Sequence, residues 1–312
     1  MIVDAHAHIV DHDWLSPRCW SLIADSYGSN AAVAPLSRGT RADIRERLCD
    51  PDGSRLLEAM DRAQIDVSIV LPLDWGIVLG EPAVSIEEQH ERIAGICRGS
   101  KGRIVAFAGI DPRRPDAVEI VRSCLRDYGM RGIKLYPSAG FDLYDEAYHP
   151  LFEAAMEYRV PVVLHTGFSF GPFQSRFCEP SLLDFLCGRY PDLTFVAAHL
   201  GAGQLQLLSW LGYARPNLRA DCSLMQIRAR QRYHDFANDL RLACDLFGSA
   251  RVMFGTDWPF SRNVMESDAY VKAFRKLTAA DSTTARFAHY EVAQMLGAGA
   301  ATMLSLPEGR TE

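Results

Sequence analysis

The sequence predicts an α/β protein, a single-domain closed (β/α)8 barrel, on three observations. Short apolar runs rich in β-branched residues alternate with segments of helical period, and the alternation repeats about eight times. The first apolar run carries Asp4-Ala-His-Ala-His8 where a dinucleotide or nucleotide fold would place a glycine-rich phosphate turn, which removes the commonest open-sheet alternatives. The length, 312 residues, is long for an ordinary domain and normal for a barrel with insertions.

Strands are expected at Ile2–Ile9, Asp66–Leu71, Ile104–Ile110, Gly132–Tyr136, Pro161–Thr166, Thr194–His199, Leu218–Cys222 and Val252–Gly255. The intervening segments space apolar residues as a helix does: Leu56, Leu57 and Met60 mark one, Val118, Val121 and Leu125 another, Leu151, Phe152 and Ala155 a third. Two regions depart from the repeat. Residues 10–53 far exceed the usual βα loop of about 2–6 residues and hold Trp14, Arg18, Trp20 and Tyr27; at the catalytic end of a barrel such an insertion reads as a lid or substrate wall. The stretch after Ala280 reads as a terminal helix, Thr284–Leu304, packed on the outside. With no repeat, linker or low-complexity tract, one domain spans 1–312.

Composition narrows the function. Hydrophobic residues at 48% and charged residues at 23% place the chain among globular enzymes and exclude disorder. A net charge of −6 argues against a basic face for nucleic acid, and the densest basic run, Arg228 to His234, is short and reads as a solvated helix start, with an anion contact at the site mouth as the alternative. The eight cysteines are scattered without a C-x-x-C pair, as expected of reduced, buried thiols in a cytoplasmic protein. The N-terminal apolar stretch contains charge and histidines and is not a signal peptide, and no run approaches the ~18 apolar residues of a membrane span. The expected partner is a small-molecule substrate, with neither nucleic acid nor membrane.

His6 and His8 stand two apart on the first strand, so both side chains point to one side, near the strand end where barrel enzymes keep their sites. An H-x-H pair alone is a weak signal, more often two satisfied core or surface histidines than a metal site. His165 and His199, however, each end an apolar strand and are followed closely by glycine, and Asp257 follows the last strand. Core histidines have no reason to recur at one structural position on three strands beside an aspartate on a fourth. The set points to a metal site.

These segments, with Gly132-Ile-Lys-Leu-Tyr-Pro137, His165-Thr-Gly167, Ala198-His-Leu-Gly201 and Gly255-Thr-Asp-Trp-Pro259, resemble the amidohydrolase superfamily across nearly the whole chain, in the family's order. The resemblance is to the branch called amidohydrolase 2, which holds TIM-barrel lactone hydrolases, aromatic-acid decarboxylases and aminocarboxymuconate-semialdehyde decarboxylase. It implies that His6, His8, His165 and Asp257 hold one divalent metal, zinc foremost, with manganese, iron and cobalt also suited to such a donor set. It also implies that His199 sits beside a metal-activated water as acid or base, with direct ligation as the alternative, and that Asp257 takes that water's proton. A homodimer is a common arrangement of the family.

Lys134 stands on the strand where binuclear relatives carry a carboxylated lysine. Here it reads as a cation near the substrate, a metal-bridging carbamate and a structural role being the alternatives. Tyr136 shares its face. Arg18 and Arg176, like Arg228 and Arg262, are placed to grip a substrate carboxylate, and Trp14 and Trp258, with Trp20, Phe168 and Phe170, to wall an apolar substrate. His12 is a further candidate, and Asp111 reads as a helix-entry turn. The leading function is a metal-dependent hydrolase attacking a lactone, ester or amide carbonyl of a small carboxylate-bearing compound. The alternative is a metal-dependent nonoxidative decarboxylase of an aromatic or muconate-semialdehyde-type acid. Some decarboxylases of the branch carry glutamate where this chain has His6, which disfavours those. A non-catalytic metal-binding barrel is the reading from another class.

Overall fold

A computed structural model of the chain describes residues 1–29, 41–279 and 286–306. Among the described residues there are nine short parallel strand segments: β1 (Val3–Ala7), β2 (Val67–Val70), β3 (Ile104–Ala106), β4 (Ala108–Gly109), β5 (Ile133–Leu135), β6 (Val162–Leu164), β7 (Phe195–Ala197), β8 (Leu218–Asp221) and β9 (Val252–Met253). They pair in sequence order as two runs, β1-β2-β3 and β4 through β9. The runs join at Phe107, whose N–H donates to the Val70 carbonyl while the next residue, Ala108, donates to Gly132. β3 and β4 are therefore one barrel stave, interrupted where Phe107 turns into the barrel interior against Gly132; a Cβ at Gly132 would sit 2.3 Å from the Phe107 ring. The ring closes through Ala5 N–H to Phe254 O at 2.9 Å and Asp257 N–H to His6 O at 2.7 Å. The result is the eight-staved barrel, with strands shorter than the apolar runs suggest because each run continues into a loop.

The barrel interior below the site is apolar. Val3, Ala5, Ile69, Leu71, Phe107, Val163, Val196 and Met253 form one buried cluster, and Ala300, Ala301 and Leu304 complete it from below. The C-terminal helical stretch, His289–Ala293 then Gln294–Ala298 in π geometry then Gly299–Met303, thus closes the amino-terminal mouth of the barrel rather than lying on its outside. Its apolar residues fill what would otherwise be an open end. Met295 O, freed in the π turn, accepts from Phe254 N–H at 2.8 Å. The expected helix start at Thr284 lies outside the described residues.

β1 contains the feature that aims the site. Its pairing with β2 slips by one residue between Asp4 and Ala7. Below the slip Val3 and Ala5 face the interior; above it Ala7 packs in the outer core, so its neighbours His6 and His8 turn inward instead. The long insertion forms two helices, Pro17–Ser29 and Arg41–Leu48. Ile23, Ser26 and Tyr27 of the first helix line the central cavity, which makes the insertion one of its walls.

Candidate active site

A cavity of about 210 Å³ opens at the carboxyl ends of the strands. His6 and His8 from β1, Lys134 and Tyr136 at β5, His165 after β6, His199 after β7 and Asp257 after β9 all reach it. His6 Nδ1 donates to Asp221 Oδ2 at 2.8 Å, and His8 Nδ1 donates to the Leu71 carbonyl at 2.6 Å. His165 Nε2 faces Ser169 Oγ at 2.9 Å and the Phe168 carbonyl at 3.4 Å, so it is the protonated nitrogen. His199 Nδ1 lies 2.7 Å from Ser223 Oγ, whose own proton goes to Asp221.

Each imidazole therefore spends its one N–H on an acceptor behind it. The nitrogens left over, His6 Nε2, His8 Nε2, His165 Nδ1 and His199 Nε2, are bare lone pairs. They converge: His8 Nε2 is 3.2 Å and His6 Nε2 3.7 Å from Asp257 Oδ1, and His199 Nε2 is 3.0 Å from His165 Nδ1. His6 Nε2 is buried without a hydrogen-bond partner. Donor atoms of His6, His199 and Asp257 all lie within 4.8 Å of one another.

Electrostatics keeps three of these rings, His6, His165 and His199, neutral. Burial drives the His6 and His199 imidazoles well below the usual histidine range, and the nearby positive groups push the same way. Burial, with Lys134 next, lowers His165 to about 3. Neutral rings with oriented lone pairs are the form a metal accepts. Lys134 Nζ is also buried and unpartnered; burial lowers it to about 8, and the Asp221 and Asp257 carboxylates resist that fall. Asp4, at the β1 slip, accepts from Thr256 N at 2.8 Å, Thr256 Oγ1 at 2.6 Å and His6 N at 3.1 Å. Burial raises its carboxyl to about 7.

Asp221 is the residue that the sequence reading passed over. Fully buried, it accepts from His6 Nδ1 with one oxygen and from His199 N, Ser223 N and Ser223 Oγ with the other. It thereby holds the left-handed turn at His199, φ 62°, and Leu200, φ 48°, a conformation costly for side-chain-bearing residues. The available signal was position: like His165 and His199 it ends an apolar strand, and Ser223 follows two residues on. Asp257 is likewise left-handed, φ 50°, and its Oδ2 accepts from Ser261 Oγ at 3.1 Å.

The substrate residues read from the sequence divide. Lys134 and Tyr136 line the cavity, and the Tyr136 ring stacks on His165 at 4.2 Å. Phe168 and Phe170 line it too. Trp14 and Trp258 do not; both are buried in the core, Trp14 against a smaller crevice beside Leu79 and Trp258 next to the barrel closure. Arg18 is exposed and lies outside the lining, and Arg176 is exposed with its guanidinium 4.5 Å over the Phe177 ring. Trp20 is buried with its indole N–H given to the His12 carbonyl; Arg228 pairs with Asp239 and Arg262 with Glu266. His12 pairs with Glu46 away from the cavity, and Asp111 holds Arg113 at a helix entry. Among the described residues the lining contains no arginine; Tyr27 lines it from the insertion read as a substrate wall, and Trp75 and Phe260 provide aromatic wall that sequence position did not reveal.

A closed parallel barrel with a histidine-rich pocket at the carboxyl ends of its strands has the architecture of barrel enzymes. The chain belongs to the amidohydrolase family: the family profile described as Amidohydrolase matches residues 3–293, and membership supports an enzymatic role. The sequence matches no curated protein at a significant level. Among solved structures it is similar to 2,6-dihydroxybenzoate decarboxylase from Rhizobium, at 18% identity and TM-score 0.68, covering 98% of each chain. It is similar to 5-carboxyvanillate decarboxylase from Novosphingobium aromaticivorans, complexed with manganese and 4-hydroxy-3-methoxy-5-nitrobenzoic acid, at 17% identity and TM-score 0.68, covering 98% of this chain and 96% of that one. It is also similar to a zinc-bound amidohydrolase from Burkholderia multivorans, at 16% identity and TM-score 0.69, covering 98% of this chain and 100% of that one. At these identities the likeness establishes the fold. No described helix is long and apolar enough to cross a membrane.

Proposed function

We propose that this protein is a metal-dependent hydrolase acting on a lactone, ester or amide of a small, flat, carboxylate-bearing compound. One observation carries the metal: four imidazole lone pairs and the Asp257 carboxylate face one another with no proton among them to bind. Lone pair against lone pair is repulsive, and a cation between them reverses the sign. His6, His8, His165 and Asp257 are the proposed holders, with His199 beside them. A divalent ion, zinc or manganese for instance, supplies Lewis acidity and lowers the pKa of a water toward about 7.

The chain's own groups do the rest. Asp257, with Oδ2 fixed by Ser261, receives the proton of the attacking water at Oδ1. His199 Nε2, an acceptor because Nδ1 donates to Ser223, would take that proton over from Asp257 and pass it to the leaving group, and the Asp221 carboxylate behind Ser223 offsets the transient positive ring. Lys134 pairs with the substrate carboxylate. Trp75, Tyr136 and Phe168 hold a flat compound and exclude water.

A second reading, nonoxidative decarboxylation, is favoured by that aromatic lining, which suits a ring acid of the kind named for the Rhizobium enzyme. There Asp257 or His199 would deliver a proton to the ring carbon as carbon dioxide leaves. The test is a panel of lactones, amides and hydroxybenzoates with the metal-reconstituted protein in 18O water. Acid formation with label incorporated and no gas release supports hydrolysis. Carbon dioxide release without label uptake overturns it in favour of the second reading.

A further inference from the structure

Among the described lining residues other than the histidines, Trp75 Nε1, Lys134 Nζ and Gln226 Oε1 are buried without a hydrogen-bond partner, and of these atoms only the Gln226 oxygen is an acceptor. Gln226 begins the helix Gln226–Gln231 and is 1% exposed. Its Nε2 donates to the Thr256 carbonyl at 2.5 Å. That bond fixes which way round the amide lies, since a carbonyl only accepts. Oε1 is thereby committed as an acceptor, and it is buried with no partner. A buried acceptor left unpaired is costly in a protein interior, and one belonging to a residue that lines a cavity is satisfied when a ligand brings a donor. Lys134 Nζ is the complementary case in the same cavity, a buried donor without an acceptor.

We propose that Gln226 is a specificity-determining residue whose Oε1 accepts a hydrogen bond from a hydroxyl or N–H group on the substrate, while Lys134 takes an anionic or carbonyl oxygen. This rests on the reading of the cavity as the substrate site. It adds that the accepted compounds carry a donor on one edge, which the chemistry of the metal centre alone does not require. A site built to bond a hydroxyl rejects the analogue lacking it far more strongly than an apolar pocket rejects a methylene.

The experiment measures binding, so it holds whichever reaction the centre performs. Zinc-loaded wild type and Gln226→Met are titrated calorimetrically with benzoate, the three hydroxybenzoates and their methoxy counterparts. Zinc content is measured on each sample. The expected result is one hydroxybenzoate binding wild type at least tenfold tighter than its methoxy partner, with that ratio falling to within twofold in Gln226→Met. Gln226→Glu keeps the acceptor while replacing the amide donor to Thr256 with a carboxylate oxygen, so the ratio is retained even as the added negative charge weakens binding of every benzoate; it also serves where Gln226→Met fails to fold. Equal ratios in wild type and Gln226→Met overturn the proposal. A ratio that collapses equally in Gln226→Glu also overturns it, by assigning Gln226 to holding the Thr256 turn. No binding of any probe to wild type overturns it as well, whereas loss of the metal centre itself would register separately in the zinc content.

Discussion

His165 Nδ1 and His199 Nε2 stand 3.0 Å apart, each the bare nitrogen of a ring whose only proton is directed the other way. Two groups that would attract as donor and acceptor instead oppose each other as two acceptors. The tautomers are set from outside the pair, by the Phe168 carbonyl and by the Ser223–Asp221 couple, so neither ring can relieve the conflict without breaking a hydrogen bond. The first prediction follows from this repulsion. Zinc or manganese ions should stabilise chelator-treated protein by roughly 4 kcal/mol at an ion concentration 1,000 times the dissociation constant, and so raise its thermal midpoint. Calorimetry with and without ion measures it; an unchanged midpoint for every divalent ion tried counts against the account.

Asp221 tests the same logic from behind. Both of its oxygens accept, so asparagine in its place can serve only one side. Asp221→Asn should leave a folded protein whose His6 is driven toward the Nε2–H tautomer, with metal affinity reduced on the order of 10–100-fold. Equilibrium dialysis against a competing chelator reads this directly. Wild-type affinity in Asp221→Asn would assign the residue to structure alone.

Lys134 sets a pH limb. Its ammonium form is complete well below about 8 and is lost as pH rises through that value, and a bound divalent cation moves the limb lower still. Binding of an anionic ligand should therefore weaken as pH climbs past about 8 or somewhat below it. Lys134→Met should bind that ligand weakly and with no such limb. A titration in which both proteins show the same pH profile would remove Lys134 from the substrate.

The walls make a paired prediction. Phe168 is 67% exposed yet lines the cavity, so Phe168→Ala should change stability by no more than about 0.5 kcal/mol while raising KM for an aromatic substrate. Arg176→Ala, at an exposed position outside the lining, should change neither. Steady-state kinetics on the two variants separates a cavity lined by aromatic side chains from one gripped by arginine.

The strand-helix alternation and the position of histidines at strand ends were legible in the sequence because periodicity and chain order are local properties. His6 and His8 were expected to share a side, and they do, but the reason includes a one-residue slip in β1 that no sequence period displays. Phe107 splits a continuous apolar run into two strands because of a contact with Gly132, a partner in the next stave. Asp221 escaped notice because an aspartate ending a strand is unremarkable until its two oxygens are seen between His6 and His199. Arg18, Arg176, Trp14 and Trp258 lie near the correct end of the chain's strands but point elsewhere, and side-chain direction in loops depends on packing that spacing does not encode. The terminal helix was read from its period, whereas its place beneath the barrel follows from the open apolar end that Ala300, Ala301 and Leu304 fill.

The most direct measurement is anomalous diffraction from crystals of zinc-loaded protein, collected on both sides of the metal edge. The account predicts one strong peak bonded to His6, His8, His165 and Asp257, with Asp221 still bridging His6 and the His199 turn. An empty cavity at saturating zinc, with the His165 and His199 nitrogens still 3.0 Å apart, would contradict it.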